Sequence, residues 1–358
     1  MVQKKTKKRK DTGMTVQSQD APVETPRKPG KTGEKDSSSP DPMPEGPSSP
    51  VAPAPLKERG PAPSQGYFSA SDGSQLWFED TGGPGIPLFF VYGLGCSIQH
   101  WKYPRQHFGL QGLVPRRQVY MDLRGHGLSA QPEVGRPFSV KQTVEDLAEL
   151  CRLREIDQAV FLGQSMGGSL IIALAREYPR LVQKAVLLGS PSRSPKHSFP
   201  VGSIKRSLWE KILQKNQTSP QLIASIHRSV MKVAQKKPFY VIAREMIRYA
   251  GFNPSLARTD DIEEYIAKIS MVDGNTFFQM AAELENFDVK DYEGSLTLPL
   301  LLIAGARDLV IPLSEQLRYK SYLPHTQVEI VPHGSHCPHF DDPKLVNRIL
   351  ENFLSMES

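Results

Sequence analysis

The stretch QAVFLGQSMGGSLIIALAREYP, Gln158 to Pro179, decides how this chain is read. Its apolar run from Ala159 to Leu162 has the length of a buried strand. After Gly163-Gln164-Ser165-Met166-Gly167 the spacing changes: Met166, Leu170, Ala173 and Leu174 fall at helical intervals, and Pro179 closes the segment. A serine between two glycines at a strand-to-helix turn is a nucleophile elbow. The turn holds the serine in strained backbone geometry, and a Cβ on either side would meet neighbouring backbone. The helix that follows aims its positive end at Ser165, which suits an oxygen that develops negative charge. The pattern G-x-S-x-G alone is common, so distant residues must decide whether it is functional.

Outward from the elbow, strand and helix alternate. Gln75 to Asp80 alternates as a strand, and Pro87 to Tyr92 is a continuous apolar run suited to a buried parallel strand, followed by the loop Gly93-Leu94-Gly95. Gln118 to Asp122 is a further strand, leading into Arg124-Gly125-His126-Gly127. Ser139 is expected to cap a helix, with Gln142 as the second half of a capping box and Val140, Val144, Leu147, Ala148 and Cys151 on its buried face. Ala185 to Gly189, Leu300 to Ala304 and Gln327 to Val331 are the later strands. Asp342 caps the final helix with Pro343 at its first position. This alternation predicts an α/β protein with a parallel sheet covered on both faces.

The rhythm breaks between about Ser192 and Tyr292. Helical segments are expected from Ser219-Pro220, from Pro238 to Ala250, around Ile262, Ile266 and Ile269, and from Phe277 to Leu284. About a hundred residues of helix inserted between strands read as a lid. The domain expectation is therefore a Pro/Ser/Lys-rich disordered tail over 1–64, a core over 65–191 and 293–358, and a helical cap over 192–292.

A serine hydroxyl is a weak nucleophile without a base, and the base needs an orienting carboxylate. In this order of sheet building the acid follows the serine and the histidine comes last. Asp308 sits just after one strand and His336 just after the next, so Ser165, Asp308 and His336 are the expected triad. His336 is chosen over His333 and His339, which read as loop or surface residues. Three histidines at three-residue steps also raise a metal site, but no helix carries them and no acidic motif completes it. The expected oxyanion donors are the amides of Met166 and Leu94. Gly93 and Trp101 are candidates for the pocket wall, Trp101 equally for the core. No cofactor is called for.

Composition bounds the rest. No apolar run among the 358 residues has membrane-spanning length. Three widely spaced cysteines, Cys96, Cys151 and Cys337, argue against a disulfide framework and for a reducing, cytoplasmic location. Residues 1–64 hold 12 Lys and Arg against 8 Asp and Glu, so most of the net charge of +6 sits there. The tail, beginning KKTKKRK after Gln3, is a candidate for acidic partners, while no nucleic-acid surface is expected on the folded part.

The motifs VYGLG (Val91–Gly95), MDLRGHGLS (Met121–Ser129), GQSMGG (Gly163–Gly168), GARDLVIP (Gly305–Pro312) and GSHCPHFDDP (Gly334–Pro343) together resemble the α/β-hydrolase superfamily. The group in view is the small capped hydrolases: 3-oxoadipate enol-lactonases, C–C bond hydrolases, esterases and cofactor-free haloperoxidases. The resemblance spans about Gly66 to Met356. It implies a mostly parallel eight-stranded sheet with a helical cap, Ser165 as nucleophile, Asp308 as acid, His336 as base, and a structural rather than catalytic role for His126. Family members usually carry His where this chain has Tyr92. Ser165 stands where epoxide hydrolases and dehalogenases of this fold place Asp. The expected function is hydrolysis of an ester, lactone or related carbonyl compound, a small-molecule acyl substrate. Acyl transfer and C–C cleavage with the same triad, or a non-catalytic ligand-binding role on the same fold, remain open at this level.

Overall fold

The sheet is built from runs that are apolar because both of their faces are covered. The computed structural model describes residues 60–132, 138–194 and 239–356, with scattered residues between 210 and 229. Eight strands run β1 (Ser64–Ser69), β2 (Gln75–Asp80), β3 (Leu88–Val91), β4 (Gln118–Met121), β5 (Ala159–Gln164), β6 (Val182–Leu188), β7 (Leu300–Gly305) and β8 (Gln327–Val331). They lie in the order β1-β2-β4-β3-β5-β6-β7-β8. β1 pairs antiparallel with β2, and β2 with β4; every other pairing is parallel. All residues of β3, β4, β5 and β7 are buried, as parallel strands under helices require. At the edge only Val331 of β8 is buried. The sequence reading did not single out β1, whose residues SQGYFS carry one buried side chain, Phe68. An edge strand half in solvent gives little hydrophobic signal.

Helix α1 (Val140–Leu153) starts where the Ser139 side chain accepts from the Gln142 amide. The reciprocal half of the expected capping box is absent, because the Gln142 side chain donates to Asp146 Oδ1 instead, at 3.3 Å. Asp146 is buried and ion-paired with Arg124, whose guanidinium also holds Asp72. The sequence alone gives no sign of this fork, which ties the loop after β4 to α1 and to the β1–β2 turn. Helix α2 (Met166–Glu177) is buried on all sides from Met166 to Ala175, more completely than a single apolar face predicts. Helix α6 (Pro343–Ser355) begins as expected, with Asp342 accepting from the Leu345 amide and Pro343 at the first position. Its inner face buries Val346, Ile349, Leu350 and Phe353, each contributing about 1.5–3 kcal/mol of transfer free energy.

Between β6 and β7 lie α3 (Phe239–Gly251), α4 (Thr259–Ile269) and α5 (Gly274–Leu284). Each matches an amphipathic segment expected from sequence; the segment from Ser219-Pro220 falls largely outside the described residues. Near its two ends this long insertion is pinned to itself. Arg193 and Asp288 form an isolated antiparallel bridge, and the Val289 amide donates to the Ser192 carbonyl at 2.7 Å. A small second core of Phe252, Ile262, Ile266, Cys337 and Phe340 joins the helices to the chain after β8. Lys102 and Tyr103 both hold the buried Asp261 of α4 at 2.5 Å. No described helix is long and apolar enough to cross a membrane.

Candidate active site

The loops that leave β3, β5, β7 and β8 emerge on the carboxyl side of the sheet, where the strand order turns around β3. Ser165 follows β5 directly and stands at φ 53°, ψ −122°, a backbone state that a non-glycine residue occupies only under restraint. The restraint is visible. The Ser165 amide donates to the Leu188 carbonyl at 2.9 Å, and the Ser165 carbonyl accepts from the Gly168 amide at 3.0 Å. A Cβ on Gly163 would lie 2.6 Å from the Gly167 backbone, and one on Gly167 2.2 Å from the Val91 carbonyl oxygen. The expected reason for both glycines is thus realised as close backbone approach.

His336 and Asp308 come together from the loops after β8 and β7. His336 Nδ1 donates to Asp308 Oδ2 at 2.9 Å. The carboxylate is held from every side: Oδ1 accepts the amides of Val310 and Ile311 at 2.8 Å, and Oδ2 also accepts Gln316 Nε2 at 3.0 Å. With Nδ1 carrying the proton, the network assigns Nε2 as the basic nitrogen. Ser165 and His336 line one cavity of about 230 Å³, without a hydrogen bond between them. Such bonds often tighten only when substrate is bound.

Two residues that the sequence reading did not assign fix this meeting. Gln164, one position before the serine, donates from Nε2 to the His336 carbonyl at 3.2 Å, so the Ser165 and His336 loops are tied directly. Gly189, one position after Leu188, has φ 54°, and a Cβ there would lie 2.7 Å from the His336 carbonyl oxygen and 3.5 Å from Asp308 Oδ2. The only local signal was a glycine at a strand end and a polar residue inside the elbow.

Both residues expected to supply oxyanion donors, Met166 and Leu94, border the cavity. Met166 is the first residue of α2, where the amide has no intrahelical acceptor. Gly93 packs against Gln164 and Ser165, with space for a Cβ blocked at 2.5 Å by Gln164 Oε1 and at 2.9 Å by the Ser165 Cβ. The loop that carries Leu94 is set from below. The Gly95 amide donates to His126 Nε2 at 3.0 Å, while His126 Nδ1 donates to the Arg124 carbonyl at 3.1 Å. Burial holds His126 neutral, its pKa lowered to about 4. Tyr92 is buried, donating to Asp122 Oδ1 at 3.1 Å and accepting the Leu123 amide at 2.7 Å. It therefore pins the ends of β3 and β4 together and does not point a base at the site.

Two expectations need correction. Trp101 is not part of the pocket wall: it is fully buried, its ring 5.2 Å from Phe90 and 5.4 Å from His339. His339 is not a surface residue. It is fully buried, with Nε2 hydrogen-bonded to the His100 carbonyl at 3.0 Å, and burial lowers its pKa to about 3. His333 is exposed, as expected. All three cysteines are free and buried; burial pushes the Cys337 thiol beside His336 far above its ordinary range, so it stays protonated.

Comparison with known proteins agrees with the fold. The alpha/beta hydrolase fold family matches the chain over residues 86–343. Protein ABHD8 of Bos taurus is 27% identical over 284 residues, a match that covers 76% of this chain and 56% of the relative, so the chain spans little more than half of that protein's length. A hydrolase from Pseudomonas aeruginosa superposes with a TM-score of 0.64 at 21% identity, covering 82% of this chain and 98% of that one. An esterase from Exiguobacterium antarcticum superposes at 0.62 with 18% identity, covering 81% and 99%.

Proposed function

The chain belongs to the α/β-hydrolase fold family, and on that premise we propose that it is a serine hydrolase that cleaves carboxylic esters or lactones through an acyl-enzyme on Ser165. His336 Nε2 takes the proton from Ser165 Oγ as the oxygen bonds to the substrate carbonyl carbon. The carbonyl oxygen becomes an oxyanion facing the amides of Leu94 and Met166. Collapse of this adduct breaks the bond to the alcohol, which leaves with the proton from His336. A water then gives a proton to His336 and attacks the acyl carbon. The second adduct collapses to the carboxylic acid and returns the proton to Ser165.

One observation carries this reading: the Asp308–His336 pair, 2.9 Å across, borders the same cavity as the strained Ser165. Asp308 keeps the imidazole in the tautomer that accepts a proton at Nε2 and stabilises the imidazolium once formed. The helices between β6 and β7 act as a cap over residues 192–292, and the flanking segments 65–191 and 293–358 act as the catalytic core. Ser165→Ala is expected to lower kcat on a p-nitrophenyl ester by about 10⁶-fold with an unchanged thermal melt. Turnover by that variant at the wild-type rate refutes the proposal.

A further inference from the structure

The cavity above Ser165 has a lining that selects its ligand. Apart from the two reacting residues, the described side chains around it are hydrocarbon or thioether, with Tyr265 of α4 the single hydroxyl. Ile247 of α3, Ile269 of α4, and Phe277 and Leu284 of α5 supply the cap side, and Val310 the core side. Among the described residues no Lys or Arg lines it. Asp308, behind His336, has its oxygens taken by three backbone and side-chain donors besides His336.

We propose that the acyl group this site accepts is an uncharged, apolar chain, and that acyl chains ending in a carboxylate are excluded. This rests on the serine-hydrolase reading above. The physical reason is asymmetric. Each methylene moved from water into the cavity is stabilised by apolar burial. A carboxylate in the same place loses its hydration and, among the described residues, finds no cation and no free donor in return. The Tyr265 hydroxyl is already engaged with the Cys96 side chain, and a single hydrogen bond would be too little to replace a hydration shell. The oxyanion donors cannot serve either, because the reacting carbonyl needs them. A site for dicarboxylic half-esters or carboxylated lactones would instead carry an arginine or lysine facing the chain.

The test uses the full-length chain and two esters matched in acyl length: p-nitrophenyl hexanoate and the mono-p-nitrophenyl ester of adipic acid. They differ only in that a carboxylate replaces the terminal methyl. The expected kcat/KM ratio favours hexanoate by about 100-fold or more, equivalent to about 2.7 kcal/mol at 1.36 kcal/mol per tenfold. A second variant sharpens the result. Ile247→Arg, at a half-buried position on the cap side, is expected to raise kcat/KM for the adipate ester while lowering that for hexanoate. A fluorophosphonate probe run in parallel separates the two levels of the argument. Labelling of Ser165 together with equal turnover of both esters, or with preference for adipate, overturns the chain assignment and leaves the serine-hydrolase reading intact. Labelling without turnover of hexanoate also overturns the assignment. Absence of labelling in the folded protein overturns both.

Discussion

The loops after β4 and after β8 each carry a histidine whose Nδ1 is hydrogen-bonded, yet they place it in opposite conditions. His336 gives its Nδ1 proton to a carboxylate, Asp308, and borders a cavity. His126 gives its Nδ1 proton to a backbone carbonyl and spends Nε2 on the Gly95 amide, sealed from solvent. Burial penalises an imidazolium at His126. The same residue type thus faces a carboxylate at the cavity in one loop and stands as a neutral strut beneath the Gly93–Gly95 loop in the other. What separates them is the partner's charge and access to the cavity, which local sequence spacing does not specify.

This contrast can be broken from either side. Removing the charge opposite His336 should have the larger consequence. Asp308→Asn keeps the shape but favours the wrong tautomer, and kcat is expected to fall on the order of 10⁴-fold, read from ester hydrolysis in a protein with a native melt. A loss below tenfold would mean that Asp308 is only a turn residue.

The smaller effect concerns His126 and appears in stability. Its pKa is ordinary in the unfolded chain and lowered to about 4 in the fold. Below pH 6.5 the unfolded state binds the extra proton, so stability from the neutral ring is complete above that pH and is lost as pH falls toward 4. His126→Asn removes this linkage. Denaturant titrations across that window should show a slope of stability with pH that is shallower by up to about 1.4 kcal/mol per pH unit than in the parent. An unchanged slope would place a proton on His126 in the native state.

Much of the sheet interior was legible in sequence because its signals are local. A run such as Leu300 to Ala304 can only be a buried strand in this context, and the glycines of the elbow mark a turn whose reason is steric. The strand ends then order Ser165, Asp308 and His336. His339 shows where that legibility stops. Its neighbours are Pro338, Phe340 and Asp341, and nothing nearby announces burial. The ring is covered because His100 and Trp101 arrive from far away in the chain. The same holds for Trp101, for Gln164 and for the Arg124 fork. Each owes its position to residues brought together by the completed sheet, a tertiary effect that periodicity does not carry.

The account depends most on a covalent bond between Ser165 and the acyl group. Rapid acid quench during the first turnover of p-nitrophenyl hexanoate, followed by peptide mass mapping, measures it directly. The account predicts a hexanoyl mass on the peptide spanning Gln158 to Pro179, assigned to Ser165 and absent in Ser165→Ala. Turnover that proceeds with the acyl mass on another residue, or that persists undiminished in Ser165→Ala, would contradict it.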